Sequence, residues 1–250
     1  MAAAHPLAGA IVASSSGAMT LGRRLALIHS PLLGPRSWRA VTDALAGRGE
    51  RTVLIDLSEG LRVQRGFYAA FGETAAHQIG EHAILVAHSG AGALIPSILR
   101  AAGGTVEAVI FVDALLPHPG RSWFDTAPDG LAARLRRQSR GGLAPRWSEW
   151  LPPERLAQLL PDRQMRESLI DDAPAAPLAF LDEPAPEYDA AAARCGFAYL
   201  QLSSAYDREA DHARASGWPI ARLGGHHLSI MTDPSLVAAA IVDLASLLLS

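Results

Sequence analysis

The 250-residue chain contains no lysine, so arginine supplies all 22 of its basic side chains. Without an ε-amino group, neither Schiff-base catalysis nor a lysine-bearing P-loop is available to it. Cysteine is almost as scarce: the single thiol, Cys195, can close no intramolecular disulfide, which fits a reducing compartment, and its plain expectation is a buried structural role. The nine histidines show no paired ligand spacing on a helix and have no supporting cysteines, so neither a metal nor another cofactor is expected. No uninterrupted apolar run reaches the roughly 18 residues a bilayer span needs. Residues 1–18 carry no basic segment ahead of their apolar stretch, so no secretory leader is expected. Charge of one sign is lacking too, with a formal net charge of -3, 49% hydrophobic and 19% charged residues. That is the composition of a soluble globular protein, expected in the cytoplasm, with no nucleic acid and no membrane as partner.

What the chain does have is an alternation of periods. Short apolar runs at 25–29, 52–57 and 83–88 read as buried strands. Between them lie segments of helical period, with Trp38, Val41 and Leu45 on one face of the first and Val63, Phe67, Phe71 and Ala75 on one face of the second. A helix at 91–101, strands at 108–113 and 197–202, a short strand near Ile220 and a final amphipathic helix at 234–249 continue the series. An opening hairpin from 9–14 and 19–21 is also expected. Strands alternating with helices imply an α/β domain, a mostly parallel central sheet with helices on both faces. The stretch 116–194 breaks the alternation: it has helix-like pieces at 129–138 and 153–160, no convincing strand, and three of the five tryptophans, Trp123, Trp147 and Trp150. It reads as a helical cap inserted into a single domain, 1–250, whose core is 1–115 and 195–250.

The strand 83–88 runs directly into Ser89-Gly90-Ala91-Gly92-Ala93 and a helix. A nucleophilic serine needs such a sharp strand-to-helix turn, with small residues two positions to either side, here Ala87 and Ala91. The following helix N-terminus would aim N–H groups where an oxyanion forms. A competing reading takes Gly90-Ala91-Gly92, with Asp113 about 20 residues on, as a dinucleotide-binding fingerprint. It fails at the third glycine, where Ile95 stands, and in position, because at least two strand and helix pairs come first. A serine hydroxyl also needs a base, and the base an orienting carboxylate. In an open α/β sheet these come from loops at the carboxyl ends of strands. Asp207, in the turn after the strand 197–202, qualifies as the acid, and His226 and His227, after the last strand, as the base.

Taken together, the strand ending at His29, Trp38, Val86-Ala87-His88-Ser89-Gly90, Phe111-Val112-Asp113 with Pro117, the Asp207 turn, and Gly225-His226-His227 before Asp233-Pro234 resemble the α/β-hydrolase superfamily over nearly the whole chain. Compact plant-type methylesterases and hydroxynitrile lyases, with their bacterial relatives, are the most similar branch. The resemblance implies a triad in the chain order Ser, acid, His. It selects Ser89, Asp207 as acid with Asp113 the alternative, and His227 as base, seven residues before Pro234. A glycine directly before the base would instead select His226. Gly90 N–H is the expected first oxyanion donor. The family takes the second from the residue two past His29, but Pro31 stands there without an N–H. The donor must then be Leu32 N–H or the Ser30 hydroxyl.

The implied activity is hydrolysis of a small to medium, largely apolar ester, lactone or thioester, in a pocket expected to include His29, His88, Trp123, Trp147 and Trp150. Two alternatives stand beside it. One is a non-hydrolytic cyclase or lyase in which the triad only moves protons, although the lysine that follows the histidine in hydroxynitrile lyases is absent. The other is a receptor-like protein that retains the pocket.

Overall fold

The computed structural model describes residues 23–188 and 195–250; the hairpin expected at 9–14 and 19–21 lies outside them. Six strands are present among these residues: β1 (Arg24–Ile28), β2 (Thr52–Ile55), β3 (Ala83–His88), β4 (Val106–Val112), β5 (Gly196–Gln201) and β6 (Ile220–Arg222). They form one sheet in the order β2-β1-β3-β4-β5-β6, parallel throughout. A parallel strand covered on both faces needs apolar residues at every position, and β3, Ala-Ile-Leu-Val-Ala-His, is buried along its whole length.

Side chains alternate across the sheet and feed two cores. Ala26, Ile28, Leu85, Ala87, Val109, Phe111 and Tyr199 face one way; Leu25, Leu27, Ile84, Val86, Ala108, Ile110 and Val112 face the other. The second face is covered by α1 (Arg39–Ala46), through Val41 and Leu45, with Trp38 just before it, and by the last helix, through Val237, Ile241 and Leu244. The first face is covered by α2 (Phe67–Ile79), α3 (Ile95–Ala102) and, after the insertion, the helix that follows β5. Two sequence expectations shift here. Val63 does not extend the face of α2: Gly66, at φ 71, interrupts the chain just before Phe67 and leaves Val63 exposed. The helix expected at 91–101 is instead a tight 3-10 turn, Ser89–Leu94, leading into α3, whose first turn accepts Pro96 because its N–H groups have no partner in the helix anyway.

Between β4 and β5 the described residues carry five α-helices, one 3-10 turn (Trp147–Trp150) and no strand of the sheet: α4 (Trp123–Thr126), α5 (Leu131–Gln138), α6 (Pro153–Leu159), α7 (Arg163–Asp172) and α8 (Leu178–Asp182). Aromatic packing and side-chain hydrogen bonds fasten this segment to the rest. Phe180 of α8 packs on Phe67, Tyr68 and Phe71 with ring centroids 5.8, 6.2 and 5.2 Å apart, while the Glu183 carboxylate accepts the backbone N–H groups of Gly66 and Tyr68 and so caps α2 from outside. At the end of α7, Asp172 accepts the Arg36 N–H at 2.7 Å and thereby holds the loop that follows β1. The chain closes with α9 (Asp207–Ala215), α10 (Ser229–Thr232) and α11 (Pro234–Leu249). No helix among the described residues is long and apolar enough to cross a membrane.

Strand order reverses between β1 and β3, and the crevice outside their carboxyl ends is where such sheets bind ligands. Ser89 stands there, one residue past β3. Its turn is pressed onto the end of β4: Ser89 C=O accepts the Leu115 N–H at 3.0 Å, and a Cβ on Gly92 would lie 2.0 Å from the Leu115 carbonyl oxygen. Gly92 therefore meets the closest approach in the turn, with a backbone atom that cannot rotate away. Gly92→Ala is expected to destabilise the protein by about 1–3 kcal/mol, read as a lower urea midpoint with an unchanged m-value.

Candidate active site

Three described non-glycine residues have positive φ, and two of them follow adjacent strands: Ser89 (φ 58) after β3 and Asp113 (φ 43) after β4. Since His88 pairs with Val112 in the sheet register, these two residues leave the carboxyl edge side by side. Backbone held in this region by non-glycine residues is strained and concentrates at functional sites. Here each departure turns a side chain towards the same imidazole. His227 Nε2 lies 3.1 Å from Ser89 Oγ, and His227 Nδ1 lies 2.8 Å from Asp113 Oδ2. A carboxylate can only accept, so Nδ1 carries the hydrogen and Nε2 accepts from the Ser89 hydroxyl.

Asp113, not Asp207, is thus the carboxylate on the histidine. The turn after β5, where Asp207 was expected to reach the site, grips Asp113 instead. Leu202 and Ser203 N–H donate to its Oδ1 at 2.9 and 3.0 Å, and the Ser203 hydroxyl donates to Oδ2 at 2.7 Å. The Asp113 side chain is fully buried. Burial alone would raise its pKa, but the hydrogen bond and charge of His227 and the hydrogen bonds from Ser203 outweigh it, so the group titrates below the ordinary carboxylate range. The Tyr199 hydroxyl fixes the next residue, accepting Ala114 N–H at 3.0 Å and donating to Ala114 C=O at 2.8 Å. Asp207, exposed at the start of α9, accepts from Gln201 Nε2.

His226 stands apart from the serine. Its Nδ1 accepts Leu228 N–H at 3.2 Å and its Nε2 faces Thr232 Oγ1 at 3.3 Å, so it organises the entry to α10. His29 and His88, expected in the pocket, are both buried supports. His29 donates from Nδ1 to Ser30 C=O and accepts Leu57 N–H at Nε2, which ties the loop after β1 to the end of β2. His88 packs beneath His227 with centroids 4.6 Å apart and donates from Nε2 to the His227 carbonyl, leaving its buried Nδ1 without a hydrogen-bond partner among the described residues. Burial first, then the neighbouring His227 charge, pushes the His88 pKa down and keeps it neutral. On its other side the His227 ring lies under Tyr206, 5.1 Å away and 15° from parallel. Tyr206 Oη is 3.4 Å from Ser89 Oγ. Sequence reasoning passed over Tyr206, whose only signal was its place in the turn before Asp207.

On the far side of the serine, Leu32 N–H is not free for an oxyanion: it donates to Ser30 Oγ at 3.3 Å. Ser30 Oγ in turn lies 3.2 Å from where a Gly90 Cβ would stand, and its own hydrogen has no acceptor among the described residues. Beyond it a narrow cleft of about 10 Å³, room for little more than one water, is walled by Pro31, Leu32, Tyr68, Ala93, Leu94, Trp123 and Phe180, with Gly90 at its floor. Of the three insertion tryptophans, Trp123 lines this cleft, Trp147 approaches His227 at 6.5 Å, and Trp150 is buried behind Trp123 with its Nε1–H on Pro145 C=O. A wider cleft bordered by Arg137, Arg140 and Arg146 shares no lining residue with it.

No protein-family model and no curated protein matches the chain. Solved structures do. An extracellular α/β-hydrolase from a Paenibacillus species, described as homologous in structure and function to tobacco salicylic acid binding protein 2, is 16% identical with a TM-score of 0.73, over 88% of this chain and 98% of its own. A pyrethroid hydrolase from Sphingobium faniae is 19% identical at 0.65, over 90% and 97%. A methylesterase from Arabidopsis is 17% identical at 0.61, over 90% and 99%. The fold is the α/β-hydrolase fold.

The buried pair makes stability depend on pH. A carboxyl whose folded pKa is depressed contributes stability above its unfolded value of 3.8, lost as pH falls through the folded value. A histidine held neutral opposes protonation, so His88 costs stability as pH falls below 6.5, its unfolded value. The urea midpoint is expected to decline on acidification from about pH 7 to pH 5, and His88→Gln to make that decline shallower while leaving the steeper loss at lower pH.

Proposed function

We propose that the protein is a serine hydrolase of small to medium, largely apolar carboxylic esters, lactones or thioesters. The observation that carries this is the unbroken chain Ser89 Oγ, His227, Asp113, with contacts of 3.1 and 2.8 Å, at the switch point of the sheet. His227 Nε2 takes the Ser89 proton as Oγ attacks the carbonyl carbon, and Asp113 holds the imidazole in the required tautomer and stabilises the imidazolium. Collapse of the tetrahedral intermediate expels the alcohol, which receives the proton from Nε2. Water then repeats the sequence on the acyl-enzyme and regenerates Ser89.

Developing negative charge on the carbonyl oxygen needs preorganised donors. Gly90 N–H follows the nucleophile, and the Ser30 hydroxyl supplies what Pro31 lacks. Leu32 N–H acts through it, donating to Ser30 Oγ and leaving the Ser30 hydrogen to point at the oxyanion. The apolar walls of the cleft, Trp123 among them, suit an apolar acyl or alcohol group and exclude water. No metal or cofactor takes part in this scheme, and the unpaired Cys195 supports a cytoplasmic location.

The absence of an N–H at Pro31 favours a second reading, a cyclase or lyase in which the same groups only move protons. The two separate on short-chain p-nitrophenyl esters and a fluorophosphonate probe. The hydrolase is expected to turn over the esters and to label at Ser89. Ser89→Ala should abolish labelling and lower kcat/KM on the order of 10⁴-fold or more. Ser30→Ala should lower kcat about 10²–10³-fold. Wild-type protein that neither labels nor turns over, yet binds an apolar ligand, would contradict the hydrolase.

A further inference from the structure

The hydrogen count around Ser89 leaves one donor unassigned. The single Ser89 hydrogen is committed to His227 Nε2, because Nδ1 has given its own to Asp113. The 3.4 Å contact between Ser89 Oγ and Tyr206 Oη therefore runs one way, with the phenol donating to a lone pair of the serine oxygen. Burial, followed by the charges of Asp113 and Glu209, pushes the Tyr206 pKa up against the opposing effect of its bond to Ser89, so Tyr206 stays protonated and cannot serve as a base. Its position is fixed from two directions. The ring stacks nearly parallel on His227, and the residue sits in the short turn between β5 and α9, whose start at Leu202 and Ser203 is pinned by Asp113. Phenol and imidazole thus approach Ser89 Oγ together, while Gly90 and Ser30 meet beside the loop after β1.

We propose that Tyr206 is a further catalytic residue of the serine site, one that stabilises Ser89 Oγ as the leaving oxygen when the acyl-enzyme is hydrolysed. The inference rests on the serine-hydrolase reading above. In the first half-reaction Oγ is the nucleophile: it loses its proton to His227 Nε2 and forms the bond to the acyl carbon. A hydrogen bond from Tyr206 there eases deprotonation but also withdraws the attacking lone pair, so the two effects oppose. In the second half-reaction His227 Nε2 takes a proton from water, the hydroxide oxygen bonds to the acyl carbon, and the carbon–Oγ bond breaks with its electron pair remaining on Oγ. The Nε2 proton then passes to Oγ. Throughout, Tyr206 keeps its own proton and donates a hydrogen bond to the oxygen on which charge accumulates. Such a bond strengthens as its acceptor gains charge, so its effect falls mainly on deacylation.

Tyr206→Phe tests this, since it keeps the ring on His227 and removes a hydroxyl whose one partner among the described residues is Ser89. With a p-nitrophenyl ester in rapid mixing, the variant is expected to release about one equivalent of nitrophenolate per site in a fast phase close to the wild-type acylation rate. A steady state about 10- to 100-fold slower than wild type should follow, with intact-mass spectrometry finding the acyl group on Ser89. An unchanged urea midpoint will separate this from a folding defect. A variant whose steady state equals that of wild type, or whose fast phase slows as much as its steady state, would overturn the role in deacylation while leaving the hydrolase reading intact. Failure of the wild-type protein to release nitrophenolate at all would remove both.

Discussion

A fully buried carboxylate, Asp113, is the constraint on which the arrangement of the site depends. An isolated charge in that position would be untenable, and taking away one partner of a buried charge typically costs about 3–5 kcal/mol. Asp113 is kept ionised by donors from two parts of the chain: the turn that leaves β5, through Leu202 N–H, Ser203 N–H and the Ser203 hydroxyl, and His227 ahead of α10. Satisfying the charge therefore fixes the exit of β5, and with it the turn that carries Tyr206. It also fixes the loop that presents His227. The positive φ at Asp113 is the local strain these bonds sustain.

The serine is positioned by packing rather than by charge. Ala87, Ala91 and Gly92 allow the turn after β3 to press onto the end of β4, and the closest contact falls at Gly92, not at the two alanines that stand where the sequence pattern puts small residues. Beneath the histidine, His88 is held neutral, so His227 has no permanent positive charge against its face. Above it lie Tyr206 and, at the edge, Trp147. The insertion holds the opposite wall: Asp172 fastens the loop carrying Ser30 and Pro31, and Phe180 with Glu183 fastens α2. The narrow cleft and the loop after β1 are thereby coupled to the same helical segment.

Much of this was legible in the sequence because burial on both faces of a parallel sheet leaves long apolar runs. The strand at 83–88 and the helix at 234–249 have the expected bounds, and the ends of the other strands given bounds lie within two residues of expectation. Ser89 was legible because a strand-to-helix turn has a local signature. The carboxylate on His227 was not, because the choice between Asp113 and Asp207 is made by register: His88 pairs with Val112, which sets Asp113 beside Ser89, and that pairing is a tertiary fact. Family habit pointed to the turn after β5, and that turn does reach the site, but as donors to Asp113 and as the carrier of Tyr206. His29 and His88 read as pocket residues from their places at strand ends; their rings are instead consumed by backbone partners and packing. The detour of Leu32 N–H through Ser30 could not be read either, since it depends on the conformation of the loop after β1.

The central claim is that the His227 ring is oriented by Asp113. Proton NMR of the imidazole N–H reports on this directly, because a hydrogen held between Nδ1 and a buried carboxylate resonates far downfield and exchanges slowly with water. The account predicts that this resonance is present in the wild-type protein, persists in Asp207→Asn and is lost or moved strongly upfield in Asp113→Asn. A resonance that survives Asp113→Asn and disappears in Asp207→Asn would contradict it.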